Sequence, residues 1–167
     1  MSLLRRYYSA GYVYFVTVVT YDRKPILTDN YDLFNRAMEI ADKQIPFKNI
    51  AGVILPEHFH TIIDPGDGDL SEIIKRIKLS FGGQYRDRYG LKSGRLWQLR
   101  FWDHVIRNTR DMNRHIDYIH YNPVRHGLVR RPIDYEYSSF GAYMKQGYYS
   151  SDWGVNRKIE VSGEFGE

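Results

Sequence analysis

Apolar and β-branched residues fill both alternating faces of the stretch from Tyr12 to Tyr21, through Val13, Phe15, Val16, Thr17, Val18, Val19 and Thr20. Such a run predicts a central strand covered on both sides. Helical spacing follows at Leu33, Phe34, Ala37, Ile40 and Ala41, with Asp29 or Asn30 as the cap and Pro46 as the stop. Ile50 to Leu55 and His58 to Ile63 read as two further strands, joined so tightly by Pro56-Glu57 that they form a hairpin or a bent pairing. A turn at Pro65-Gly66-Asp67-Gly68 leads into a second helix from Leu70, with Ile73, Ile74, Ile77 and Phe81 on one side. Gly82-Gly83 is expected to end or kink that helix. Leu96 to Ile106 is extended and aromatic. Thr109 then precedes a third helix that runs through about Tyr121, stopped by Asn122-Pro123. Ser138-Ser139-Phe140 opens a short fourth helix ending at Gly147, and the polar tail over about 155–167 is expected to fray.

The order β-α-β-β-α-β-α predicts an α+β fold, a ferredoxin-like antiparallel sheet with helices on one face. No internal repeat or linker divides the chain, so 1–167 reads as a single domain.

Two positions in this pattern carry chemistry. In Pro56-Glu57-His58-Phe59-His60-Thr61-Ile62-Ile63, His58 and His60 are two apart on a strand and share a face, while Phe59 points to the opposite, apolar layer. Two imidazoles aimed at one point are half of a metal site. The plain alternative is a pair of half-buried strand histidines. A zinc site completed by Glu57 or Asp64 is another, although Glu57 points to the other face of a regular strand. On the third helix, Tyr118 and Asn122 lie four apart and share a face. Asn122 offers an amide oxygen to a hard cation. Tyr118 offers a phenol, a poor nucleophile at neutral pH unless activated. Together they suggest metal-assisted attack of a tyrosine on a phosphodiester. Amphipathic packing of Tyr118 and a helix stop at Asn122 is the competing reading. His115, His120 and Tyr121 are read as structural or DNA-contacting.

Composition narrows the partners. The net charge of +4, from 24 Lys and Arg against 20 Asp and Glu, does not by itself mark a nucleic-acid binder. The cations cluster, however, at Arg5-Arg6, Lys75-Arg76-Ile77-Lys78, Arg86-Asp87-Arg88 and Arg125 to Arg131, beside 15 tyrosines and three tryptophans. Interleaved aromatics and cations suit stacking on unpaired bases while neutralising phosphates. With no cysteine there is no disulfide frame, thiolate site or cysteine nucleophile, which fits a reducing cytoplasm. No run approaches the roughly 20 apolar residues of a membrane span. Met1-Ser2-Leu3-Leu4-Arg5-Arg6 has no apolar region behind it, so no signal peptide is expected.

Four segments resemble one family: Arg5-Arg6-Tyr7-Tyr8; Leu55-Pro56-Glu57-His58-Phe59-His60; the aromatic stretch from Trp97-Gln98 through Arg100-Phe101-Trp102-Asp103-His104 to Ile106-Arg107-Asn108; and Asp117-Tyr118-Ile119 through Asn122-Pro123-Val124-Arg125 to Gly127-Leu128-Val129. With Asp152-Trp153-Gly154 they run in order over most of the chain. The sequence resembles the REP-associated tyrosine transposases, a branch of the single-tyrosine HUH transposases of bacterial insertion sequences. The resemblance implies that His58 and His60 bind Mg²⁺ or Mn²⁺, that Tyr118 is the nucleophile, and that Asn122 stands where many relatives carry a longer glutamine ligand. It implies cleavage and rejoining of single-stranded DNA beside a REP-type hairpin, through a 5′-phosphotyrosine, with no small-molecule cofactor and no membrane partner. Arg5, Arg6, Trp97, Arg100, Arg107 and Arg125 are the candidate DNA contacts. Arg100 and Arg107 serve equally as partners of Asp103 or a helix end. Insertion-sequence relatives swap the tyrosine helix between subunits, so monomer and homodimer both remain open. An inactive hairpin-binding module and a water-using metal phosphodiesterase are the alternative functions.

Overall fold

The computed structural model describes residues 11–155 and 158–167; Arg5 and Arg6 lie outside the described residues. Four strands form one antiparallel sheet in the order β2-β3-β1-β4: β1 (Tyr14–Val19), β2 (Lys48–Ile54), β3 (His58–Asp64) and β4 (Trp102–Val105). The expected α+β fold and order of elements are found. Every residue of β1 is buried, as a central strand apolar on both faces requires.

The pleat of β1 and β3 sorts two cores. Tyr14, Val16, Val18, Phe59 and Ile63 face one layer, closed by α1 (Tyr31–Gln44) and α2 (Leu70–Tyr89). Phe15 and Ile62 face the other, closed by Ile116, Tyr118 and Ile119 of α3 (Thr109–Arg125) and by Phe140 of α4 (Phe140–Lys145). Helices therefore cover both faces of the sheet, not one. The reason is β1 itself: its odd and even positions are equally apolar, and each set needs a cover. The outer edge of β2 is closed as well, since Ile54 N donates to Tyr137 O and Ser139 N to Gly52 O.

Three sequence expectations about element ends are corrected. The α2 helix passes straight through Gly82-Gly83 and stops at Gly90, whose φ of +64° is the left-handed conformation that glycine adopts freely. Gly82 instead permits a close approach: a Cβ there would meet Arg86 at 3.1 Å and Leu96 at 3.6 Å. The α3 helix continues through Pro123 to Arg125. Pro123 forfeits only its own donor, while His126 N still reaches Asn122 O and Leu128 N reaches Pro123 O. Among the described residues, 158–167 of the tail pack against the fold instead of fraying. It returns across the second core, where Phe165 is buried and Arg114 Nη1 donates to Ser162 O.

Candidate active site

The register of the central strands sets the site. Thr17 of β1 pairs with His60 of β3, and Val19 with His58, so both histidines face α3. Each imidazole is held by its Nδ1. His58 Nδ1 lies 2.9 Å from Glu57 Oε1, which can only accept when ionised, so this nitrogen carries the proton. Thr17 donates its one hydroxyl proton to Phe165 O, so it accepts from His60 Nδ1 at 2.7 Å. Both rings thus turn Nε2 toward the site, the nitrogen that a metal-ligating histidine with an outer partner on Nδ1 offers to its ion. Glu57 is therefore an orienting partner of His58 and not the third ligand. Asp64 caps a turn, accepting from Gly66 N at 3.0 Å, and takes no part either.

Tyr118 and Asn122 meet the histidines from α3, and both are fully buried. This helix packs on the sheet within the one chain described, where phenol and imidazoles lie together. The element that sequence reasoning missed is the tail. Glu167 brings a carboxylate into the centre of the site: Oε1 is 2.9 Å from His60 Nε2, 3.6 Å from His58 Nε2 and 3.2 Å from His126 Nε2. Asn122 Nδ2 donates to it at 2.8 Å, and the Tyr118 hydroxyl donates to it as well. Arg125 Nη1 donates to the Tyr118 oxygen at 2.8 Å and lies 3.2 Å from Glu167 Oε2. Phe165 stacks on the Tyr118 ring. Nothing in the composition of the tail marks these two residues. For Thr17 the only signal is its place two residues after Phe15, on the same face of β1.

The donor set fits a divalent cation. His58, His60 and Glu167 offer ligand atoms within 4.8 Å of one another. His58 Nε2 and Asn122 Oδ1 are buried with no hydrogen-bond partner, which is costly unless an ion completes them. Burial pushes His60 down to about 4, keeping it neutral and available as a ligand. Burial also pushes the Tyr118 phenol well above its ordinary value, with the Glu167 carboxylate adding to the rise and Arg125 opposing it. For Glu167, burial favours the neutral acid, but its contacts with His126, His58, His60 and Tyr118 outweigh it and hold the carboxyl well below its usual range.

The remaining candidates divide. Trp97 is in the other core, its indole packed on Phe59 and Phe81 and its Nε1 donating to Lys78 O. Little of its ring is left open to solvent, at 8% exposure. Arg100 is exposed. Arg107 is largely exposed and joins His104 and Arg114 around Asp111, at the start of α3. On α2, Lys75 pairs with Glu72, and Arg76 donates to Gln44. His120 is structural, sealed between Ser139 and Tyr149. His115 is likewise buried, bonded to the Asp111 carbonyl. Among the described residues no helix is long and apolar enough to cross a membrane.

Known proteins with the same chain plan were found by sequence and by shape. A Haemophilus influenzae protein assigned to the REP-associated tyrosine transposases is 36% identical over 98% of this chain and 99% of its own. The Escherichia coli K12 REP-associated tyrosine transposase is 40% identical over 92% of this chain and 91% of its own. A solved structure of a REP-associated tyrosine transposase bound to a REP hairpin superposes with a TM-score of 0.84 at 38% identity, covering 99% of this chain and 96% of the other. No profile of a known protein family matches the chain.

Proposed function

The chain belongs to the REP-associated tyrosine transposases, and on that premise we propose that it cleaves and rejoins single-stranded DNA beside REP-type hairpins through a 5′-phosphotyrosine at Tyr118. One observation carries the reading: the Tyr118 hydroxyl and His60 Nε2 converge on the same carboxylate oxygen, across a helix and a strand far apart in sequence. A nucleophile beside a cluster of metal-ligating side chains is the constellation that phosphodiester transfer needs.

His58, His60 and Asn122 would hold Mg²⁺ or Mn²⁺, and the bound ion supplies positive charge against the negative charge that develops on the phosphate. Thr17 and Glu57 keep both histidines in the right tautomer. Phe15 packs against His60, Tyr118 and His115 and fixes the rings in a dry wall. Tyr118 Oη forms a bond to phosphorus as the bond from phosphorus to the 3′ oxygen breaks. The phenol gives up its proton and the leaving 3′ oxygen takes one up. Because the phosphotyrosine is an ester like the one it replaces, a 3′-OH can reverse the exchange without ATP. Arg5, Arg6, Arg100 and Arg107 are the proposed backbone contacts to the DNA. The work is done in the cytoplasm, with no small-molecule cofactor, and the placement of Tyr118 on its own sheet supports one chain as the catalytic unit.

The test is a covalent-adduct assay. End-labelled single-stranded hairpin DNA is mixed with protein in Mg²⁺ or Mn²⁺, with EDTA and Tyr118→Phe as controls, and resolved on a denaturing gel. A labelled protein band that requires both metal and Tyr118 is the expected result. Cleaved DNA without any adduct would mean that water is the nucleophile. Binding without cleavage would leave a hairpin-binding module.

A further inference from the structure

The two ends of the Glu167 carboxylate are not held alike. One oxygen faces the histidines and Asn122, where the cation would sit. The other, Oε2, is 3.2 Å from Arg125 Nη1, and the same nitrogen is 2.8 Å from the Tyr118 oxygen. His126 Nε2 adds a further contact, 3.2 Å from Oε1. An anion therefore already occupies the place beside the nucleophile, and one guanidinium touches both. Arg125 is on α3 seven residues after Tyr118, two turns along the same face, so the helix fixes its reach to the phenol. The guanidinium also lies over the Tyr118 ring, 5.4 Å from its centroid. Continuation of the helix through Pro123 is what places Arg125 and His126 here.

We propose that Arg125 is a catalytic residue that grips a non-bridging oxygen of the scissile phosphate while holding the Tyr118 oxygen, with His126 as a second donor to the same phosphate. This rests on the phosphotyrosine reading above. A phosphate in the carboxylate's position presents two oxygens with the same spread as Oε1 and Oε2, and a guanidinium is suited to such an anion. As the Tyr118 Oη to phosphorus bond forms and the bond to the 3′ oxygen breaks, negative charge gathers on the non-bridging oxygens. A donor already aimed at them stabilises that state more than the bound substrate. The contact to Oη holds the attacking atom on the same side. Arg125 takes no proton, since its guanidinium stays charged throughout. The role differs from a general backbone contact, which would change affinity and leave the chemical step alone.

The experiment compares wild type, Arg125→Gln, Arg125→Lys, Arg125→Ala and Tyr118→Phe. Hairpin affinity is read by fluorescence anisotropy, the unfolding midpoint by circular dichroism, and the single-turnover rate of adduct formation at saturating DNA. Arg125→Gln is expected to slow the adduct step by about 100-fold or more, the size seen for losing one anion-stabilising donor. Its affinity and unfolding midpoint should stay near wild type. Arg125→Lys should fall between, because a charge remains without the two-point grip. Guanidinium ion added to Arg125→Ala should restore part of the rate, where urea or sodium chloride at the same concentration does not. An unchanged rate in Arg125→Gln, a loss explained wholly by weaker binding, or a loss that neither lysine nor guanidinium repairs would overturn the proposal. If wild type itself forms no Tyr118-dependent adduct, the phosphotyrosine reading falls first. An adduct that forms normally in Arg125→Gln sinks only the role of Arg125.

Discussion

Phe165 lies flat against Tyr118, with ring centroids 3.6 Å apart and planes 7° from parallel. The phenol is thus covered on one face by a side chain from the tail, and its hydroxyl is engaged by Glu167 two residues on. With the scissile phosphate placed beside Tyr118 as proposed, substrate and tail claim the same ground. The double variant Phe165→Ala with Glu167→Ala is expected to form the DNA adduct several-fold faster than wild type in a single-turnover assay. A slower variant would make Glu167 a required ligand instead of an occupant.

Metal affinity should depend on groups that never touch the ion. Thr17→Val removes the acceptor at His60 Nδ1 and frees that ring to turn or change tautomer. Losing such an outer partner costs about 10–100-fold in metal affinity. Titration calorimetry with Mn²⁺ should show that loss in Thr17→Val and in Glu57→Gln, and no measurable binding in the double variant His58→Ala with His60→Ala.

Acid should unfold the metal-free protein earlier than its carboxylates alone would predict. Burial holds His120 down to about 3 and His60 to about 4, from an ordinary 6.5. Below 6.5 the unfolded chain takes up protons that the folded chain refuses, so stability rises with pH in that window. The full contribution is present above 6.5 and is lost as pH falls toward 4 for His60 and 3 for His120. Urea denaturation in EDTA from about pH 8 to about pH 4 should record a fall on the order of several kcal/mol. His120→Gln should make that fall shallower, and an unaltered slope would remove His120 from the account.

Phe59 sits between the two site histidines in sequence but belongs to the other layer, against Phe34 and Trp97. Phe59→Ala should cost about 3–5 kcal/mol of stability by leaving a cavity there. Because the cavity opens away from the site, the adduct rate of the protein that remains folded should stay close to wild type. A rate loss matching that of His58→Ala would show that the two layers are coupled through β3.

The fold was legible wherever residues repeat a local rule. The alternation at Tyr14–Val19 announced a central strand, and the spacing of Leu33, Phe34, Ala37 and Ala41 announced α1. His58 and His60 were legible for the same reason, since a strand places i and i+2 together. Glycine and proline misled. Gly82 reads as a breaker but makes room for Leu96, and Pro123 reads as a stop but lies where one missing donor is tolerated. Trp97 reads as a stacking platform because sequence gives residue type and not depth. The tail was illegible altogether. Its polar residues carry no period, and the reason Glu167 is held is a set of donors assembled from β3 and α3, which exists only once the chain has folded.

That α3 rests on its own sheet sets the arithmetic of any strand exchange. Among the described residues, one phenol meets the histidine pair in each molecule. On the proposed phosphotyrosine chemistry, a molecule joined to one broken strand end has, among the described residues, no second phenol at its histidine pair. Releasing a DNA segment requires a break at each of its two ends, so it calls for two molecules acting together or for two rounds by one, with the first junction resealed before the second is made.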